Sequence, residues 1–471
     1  MTTDTQALTV ATARAWIAEQ AFGASLEPGD AVAEPAPERP GGVGLEPEYF
    51  VVRVDALGSP TGRPRLLRDE TTGEPGVVDW LRDASEDPEL GFFTYVPGVV
   101  PRFDLACGGS LTFEPGAQVE HSTRVHDTAA AALEDLERVR AGLTDIFEVH
   151  GCALVALGLD PWHDVADVPQ QLPGGRYRSQ ADFYARRGPA GAEMMRHSTS
   201  VQINLDFGPD PEVAEERWRV ANLVSPLVTA TFSTSPGRHL GGPAVASRRA
   251  CVWRQLDPSR TGFPAGFVRG EGGSSAEQYA DLVLDAEVML VRRAGHPEGM
   301  VTGDGGLTFR RWIEQGHPAH GPATLDDLSY HLTTVFPEVR ARGFMELRAA
   351  DGLPADLVGP FVTLLCGLVY EPGARREALA ILEDHRHELP DLLARAARDG
   401  FEDRALAGLA AWVWPLALEG ARRLPPGYLR LLDLQAAGAF LDRYVLDGTS
   451  PSHELRDLLD LAPAGALTWG R

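Results

Sequence analysis

The stretch Thr112–Glu120 reads TFEPGAQVE, a Pro-Gly turn set inside residues that otherwise favour a strand. Glu114 and Glu120 bracket the turn, and Gln118 shares a strand face with Glu120. A turn needs no acid, so the two carboxylates call for a separate reason. The same alternation recurs along the chain. In GLEPEYFVV, Glu46 and Glu48 are two apart and point to one side of a strand. In SVQINLDFG, Gln202, Asn204 and Asp206 share a face, while Val201, Ile203, Leu205 and Phe207 take the other. In GFMELRAADG, Glu346 and Arg348 fall together. An antiparallel sheet with one wet face explains any one of these strands. It does not explain four, because Asp, Asn and Glu are depleted in strands. Carboxylates crowded on one face repel unless cations neutralise them, and Mg²⁺ takes oxygen ligands from such groups together with substrate phosphates. Glu114 and Glu120 are therefore expected to be metal ligands whose separation the Pro-Gly turn fixes.

Working outward, residues 8–22 have helical apolar spacing, and the Pro- and Glu-rich EPGDAVAEPAPERPGG that follows reads as an exposed connection. From about Val43 to Leu353, strand-like runs mix with helical stretches such as 127–147 and 212–232, without a regular βαβ alternation. After about Leu357 the chain is rich in Ala, Leu, Arg and Glu and reads as all helix. The expectation is an α+β protein in three parts. Residues 1–42 hold a helix and its connection, 43–356 the mixed strand-and-helix part, and 357–471 a helical portion packed on the core.

Composition narrows the partners. A formal charge of -24 over 471 residues argues against nucleic acid and anionic membranes. The chain has no lysine, so all 43 basic residues are arginine, which excludes a lysine Schiff base and a P-loop lysine. Any phosphate must then be held by arginine and metal ions. Four scattered cysteines, Cys107, Cys152, Cys251 and Cys366, form no C-x-x-C pair, an acidic N-terminus is unlike a signal peptide, and no apolar run is long enough for a membrane span. A cytoplasmic monomer or homodimer acting on small molecules is expected.

The segments TFEPGAQVE, MMRHSTSVQINLDFG, SRRACVWRQLDPSRTG and YHLTTVFPEVRARGFMELRAADG resemble, in that order, motifs of the plant-type glutamate–cysteine ligases, including the actinobacterial branch associated with ergothioneine biosynthesis. The resemblance spans roughly Gly44 to Gly352. It implies a fold similar to the catalytic domain of glutamine synthetase, with an antiparallel sheet curved around ATP and Mg²⁺. It also implies ATP-dependent joining of the γ-carboxylate of glutamate to the amine of cysteine through a γ-glutamyl phosphate. Carried over residue by residue, the family's strand carboxylates match Glu46, Glu48, Glu114, Glu120 and Glu346, with Gln202 and Asn204 on the neighbouring strand as nucleotide-side groups. Arg348 and Glu46 are the expected catalytic residues. Arg348 would steady the transferring phosphoryl group, and Arg249, Arg260 and Arg196 would bind substrate, gripping a carboxylate or a phosphate.

Several positions depart from the pattern. Ala117 replaces a second glycine, His121 replaces an apolar residue, SRRAC differs from Ser-Tyr-Arg-Ser-His, and the plant enzymes carry an arginine one position after Arg196. These departures leave open a related ligase with another amine or acid, and more remotely a binding protein on the same fold. The pair His317 and His320 in HPAH is interrupted by proline and is not expected to hold zinc. The segment GDGGLTF is expected to be a hairpin turn.

Overall fold

The computed structural model describes residues 8–23, 38–87, 92–239, 241–292, 300–303, 305–461 and 463–471. Its centre is a ten-stranded antiparallel sheet. The strands are β1 (Val43–Val54), β2 (Pro60–Gly62), β3 (Phe93–Val96), β4 (Arg102–Leu105), β5 (Gly109–Phe113), β6 (Val119–Thr123), β7 (Cys152–Val155), β8 (Val201–Leu205), β9 (Val339–Ala341) and β10 (Met345–Leu347). The order is β9-β10-β8-β1-β6-β5-β4-β3, and β2 and β7 pair with the second half of β1.

The long strand β1 changes partners along its length. Val43 to Pro47 pair with β8, Glu48 and Tyr49 with β6, and Phe50 to Arg53 with β7. One strand thus joins what would otherwise be separate sheets. Behind its first half, Val43 and Leu45 on β1 join Val201, Ile203 and Leu205 on β8 and Met345 and Leu347 on β10 as buried apolar residues. They share that core with helices α1 (Val10–Phe22), α2 (Pro211–Thr231), α3 (Ala355–Tyr370) and α4 (Arg404–Arg423). Asp210 starts α2 by accepting hydrogen bonds from the amides of Glu212 and Val213, with Pro211 fitting the first turn. Phe232, Phe361, Trp414 and Phe440 close the far side of this core ring against ring. Losing the side chain of Ile203 or Met345 from such a site costs about 2–5 kcal/mol.

From Ala355 to the C-terminus the described regular elements are helical. The first helix starts at Val10, and residues 24–37 of the expected Pro-rich connection lie outside the described residues. GDGGLTF is not the turn of a hairpin. Asp304 lies outside the described residues, while Leu307 accepts a hydrogen bond from the amide of Val288 and Phe309 already opens a helix. Thr308 caps that helix by accepting from the amide of Arg311.

Candidate active site

The register of the sheet lays the polar residues side by side. Thr112 faces Glu120, Glu120 faces Glu48, Glu46 faces Gln202, Asn204 faces Glu346, and Glu346 faces Arg340. Directly opposed residues point to the same side of a sheet, so these side chains form one continuous face, while Phe113, Val119 and Tyr49 turn to the other. Glu114 joins the face from the turn. Its amide donates to the carbonyl of Gln118 and its carbonyl accepts from the amide of Ala117, both at 2.9 Å. Ala117 adopts a left-handed φ of 66°, alone among the described non-glycine residues, which accounts for glycine suiting that position.

A cavity of about 240 Å³ opens over this face, lined by Glu46, Glu48, Glu114, Glu120 and Gln202 on one side and by Arg249, Arg340, Arg342 and Arg348 on another. The acids are held individually. Asn204 Nδ2 donates to Glu46 at 2.7 Å, and Thr112 Oγ1 to Glu120 at 2.6 Å. Glu48 accepts from the amide of Ser200 at 2.9 Å, from Ser200 Oγ at 3.1 Å and from Gln202 Nε2 at 3.3 Å. Burial, reinforced by the charges of Glu120 and Glu346, pushes Glu46 up to about 7. Burial first, then Glu120 and Glu48, pushes Glu114 well above the usual carboxylate range. Burial raises Glu120 too, with Glu48 adding to it. Glu48 rises by burial, against the pull of Arg249. Four acids unfavourably charged in one cavity are a site waiting for positive charge.

The donor set fits Mg²⁺. All four groups on the wall offer hard carboxylate oxygen. Among the described residues no three acids or histidines converge on one point.

Glu346 stands differently from the expectation of a metal ligand. It is fully buried, does not line the cavity, and accepts hydrogen bonds from Arg340 at 2.7 Å, Arg342 at 2.8 Å and Arg348 at 2.7 Å. These guanidiniums outweigh its burial and hold its carboxyl far below the usual range. Arg348 also donates to Gln202 Oε1 at 2.6 Å and lies over Trp253 and Phe336. Gln202 is thereby fixed between Glu48 and Arg348. Asn204 stands behind Glu46 and is not on the cavity wall.

Arg249 reaches the wall as expected. Asp351 holds it from behind at 3.7 Å, and this fully buried carboxylate also accepts from the amide of Thr234, Ser235 Oγ and Ser247 Oγ at 2.9, 2.6 and 2.9 Å. Arg260 and Arg196 are not on the wall. Arg260 is completely buried, pairs with Asp257 at 2.7 Å and donates to the carbonyl of Thr334 at 2.7 Å, so its fork is used in joining segments. Arg196 turns away to the carbonyl of Val168 at 2.9 Å. SRRACVWRQLDPSRTG forms the helices Arg248–Arg254 and Pro258–Thr261. His121 faces away from the cavity into the core, where burial lowers it to about 4. His317 and His320 stack with centroids 4.3 Å apart.

Sequence reasoning missed Arg176, Tyr177 and Gln180, brought to the cavity by the helix Gly175–Ala185. Arg176 donates to Thr333 Oγ1 at 3.1 Å and its charge acts on Glu114. It also missed Ser200, Trp253 and Phe336. Arg340 and Arg342 were inside a quoted motif, and the left-handed Gly343, φ 77°, signals the tight turn that brings Arg340 opposite Glu346.

A family model described as glutamate-cysteine ligase family 2 matches residues 68–467. Glutamate–cysteine ligase EgtA of Mycolicibacterium smegmatis is 34% identical over 364 residues, covering 75% of this chain and 78% of that protein. Chloroplastic glutamate–cysteine ligase B of Oryza sativa subsp. japonica is 27% identical over 434 residues, covering 89% and 80%. Among solved structures, a glutamate–cysteine ligase of Francisella tularensis in complex with AMP is 12% identical with a TM-score of 0.45, covering 92% of this chain and 88% of that one.

Proposed function

This chain belongs to glutamate-cysteine ligase family 2, and from that premise we propose how its cavity carries out the family's reaction. The enzyme is an ATP-dependent ligase that joins the γ-carboxylate of L-glutamate to the amine of L-cysteine, giving γ-glutamylcysteine, ADP and phosphate for thiol or ergothioneine biosynthesis. The glutamate γ-carboxylate attacks the terminal phosphorus of ATP and ADP departs. The cysteine amine then attacks the acyl carbon of the γ-glutamyl phosphate, and phosphate leaves with the electrons of the broken C–O bond.

Little covalent chemistry falls to the protein in such a transfer; positioning and charge do most of it. Glu46, Glu48, Glu114 and Glu120 would hold Mg²⁺, which when bound neutralises phosphate charge. Arg348, fixed by Glu346 and Gln202, faces the phosphoryl group, and Arg249, braced by Asp351, takes a carboxylate of glutamate. The observation that carries this reading is the quartet of half-buried acids gathered on one sheet face, lining one cavity together with arginines.

Among the described residues no single helix is long and apolar enough to cross a membrane. The net charge of -24 argues against nucleic acid and anionic membranes as partners, and we propose a cytoplasmic monomer or homodimer working on small molecules. A ligase using another amine is the second reading, favoured by Arg196 pointing away from the cavity and by the SRRAC departure. Purified enzyme given ATP, Mg²⁺ and glutamate, with candidate amines added singly, separates the two by ADP release and product mass. Turnover with cysteine is expected, and turnover with a different amine alone would favour the second reading.

A further inference from the structure

Glu114 and Glu120 stand at the two ends of one turn, so their placement is decided by what holds that turn. Inside it are two backbone hydrogen bonds; outside it are three ties. The carbonyl of Pro115 accepts from the amide of Gln171 at 2.7 Å. Gln118 accepts from the amide of Gly116 at 2.9 Å and donates through Nε2 to the carbonyl of Ser198 at 2.9 Å. The third tie is Arg63, whose Nη2 donates to the carbonyl of Gly116 at 2.5 Å while Nη1 donates to the carbonyl of Arg196 at 2.9 Å.

The turn and the helix Ala190–His197 meet backbone to backbone at this point. A Cβ added to Gly116 would sit 2.1 Å from the carbonyl oxygen of Arg196. Arg196 lies in the last helical turn, where carbonyls lack partners within the helix, and the carbonyl of Gly116 is also turned to Arg63. A planar guanidinium with parallel N–H groups satisfies both oxygens at once. Arg63 is itself fixed, buried over the ring of Phe50 at 4.8 Å and 3.9 Å from Asp160. Asp160 is anchored by His163 Nδ1 at 2.8 Å and the amide of Trp162 at 2.9 Å. The arginine charges that act on Glu114 are those of Arg348 and Arg176, so Arg63 influences this acid through geometry.

We propose that Arg63 is a positioning residue for the metal-holding acids, locking the Glu114–Glu120 turn in register with the Ser198–Gln202 segment across the cavity. The inference rests on the metal-holding reading of Glu114 and Glu120.

The test measures Mn²⁺ binding to the full chain by electron paramagnetic resonance, with a non-hydrolysable ATP analogue present and without amino acid, alongside thermal melting. Arg63→Lys keeps the charge and the apolar stem but cannot bridge two carbonyls as the fork does. It is expected to weaken Mn²⁺ binding about 10- to 100-fold, as loss of a group that orients metal ligands does, while remaining folded. Gly116→Ala separates the same two backbones with Arg63 intact and is expected to weaken binding similarly, and it decides the matter if Arg63→Lys does not fold. Wild-type Mn²⁺ affinity in the folded variant, with or without a lower melting temperature, overturns the proposal and leaves Arg63 a stabilising residue only. Glu114→Gln is the control. If it also binds Mn²⁺ normally, the metal reading itself fails; if it loses Mn²⁺ while Arg63→Lys does not, only the positioning role fails.

Discussion

Replacing Arg348 by glutamine tests whether this arginine acts on the transition state or merely braces the sheet. In the folded protein it makes charge-assisted hydrogen bonds to Gln202 at 2.6 Å and Glu346 at 2.7 Å. Each such bond contributes about 1.5–3 kcal/mol. Glu346 keeps Arg340 and Arg342, so no buried charge is stranded, and glutamine recovers part of the loss through its amide. The net cost is therefore about 2–4 kcal/mol. Unfolding entropy scales with length, so a chain of 471 residues loses about 1 °C of melting temperature per kcal/mol, or about 2–4 °C here. If Arg348 also steadies charge on the phosphoryl group in flight, kcat and kcat/KM fall together by about 10²–10³, equivalent to about 2.7–4 kcal/mol of barrier. Single-turnover formation of the acyl phosphate, measured per folded molecule alongside thermal melting, separates the effects. A variant that melts a few degrees early yet forms acyl phosphate at the wild-type rate would refute the catalytic role.

Glu114→Gln should abolish synthesis and raise the melting temperature of the metal-free enzyme, because it removes a buried charge repelled by Glu120 and Glu48; an inactive variant that melts earlier would contradict this. Asp351→Asn should raise the KM for glutamate more than that for ATP, since Asp351 braces Arg249 at 3.7 Å, and equal rises in both would count against it. His331, buried under Phe309 and donating to the carbonyl of Val283, is pushed down by burial to about 3. Arg260 opposes its charging and Asp257 favours it. Its folded value lies below the unfolded one of about 6.5, so its stabilisation is complete above pH 6.5 and is lost as pH falls towards 3, at up to about 1.4 kcal/mol per pH unit. His331→Gln should therefore show a shallower fall in stability across that window in denaturant titrations, and an identical slope would exclude His331 as the cause.

Much of the acidic face was legible because strand period is local: Glu46, Glu48, Gln202 and Asn204 carry their orientation in their spacing. The C-terminal helices were legible for the equivalent reason at period 3.6. Arg176 was not, because it sits on the helix Gly175–Ala185, remote in sequence from every strand of the face, and only tertiary packing brings it to Glu114. Arg260 misled in the opposite direction. Arginine beside turn residues suggests an anion grip, but Asp257, three positions earlier, takes its guanidinium inside a short capped helix. Glu346 was placed on the correct face by its period, yet its neighbours are set by the β9–β10 register, and that register pairs it with Arg340.

The knot around Glu346 bears on how the empty enzyme differs from the loaded one. Three guanidiniums on a cavity rim would ordinarily scatter, each hydrated and each free to pick up stray anions. Here one internal carboxylate serves as their common counter-ion, so they are aimed before any substrate arrives. On the proposed reading an entering phosphate would meet a frame that needs little reorientation, which is where preorganised charge gains its advantage over water. Glu346 carries one negative charge against three positive ones, so the frame keeps a net positive charge for an anion to meet. On the proposed reading the same acid aims the arginines and leaves them the charge that draws the nucleotide in.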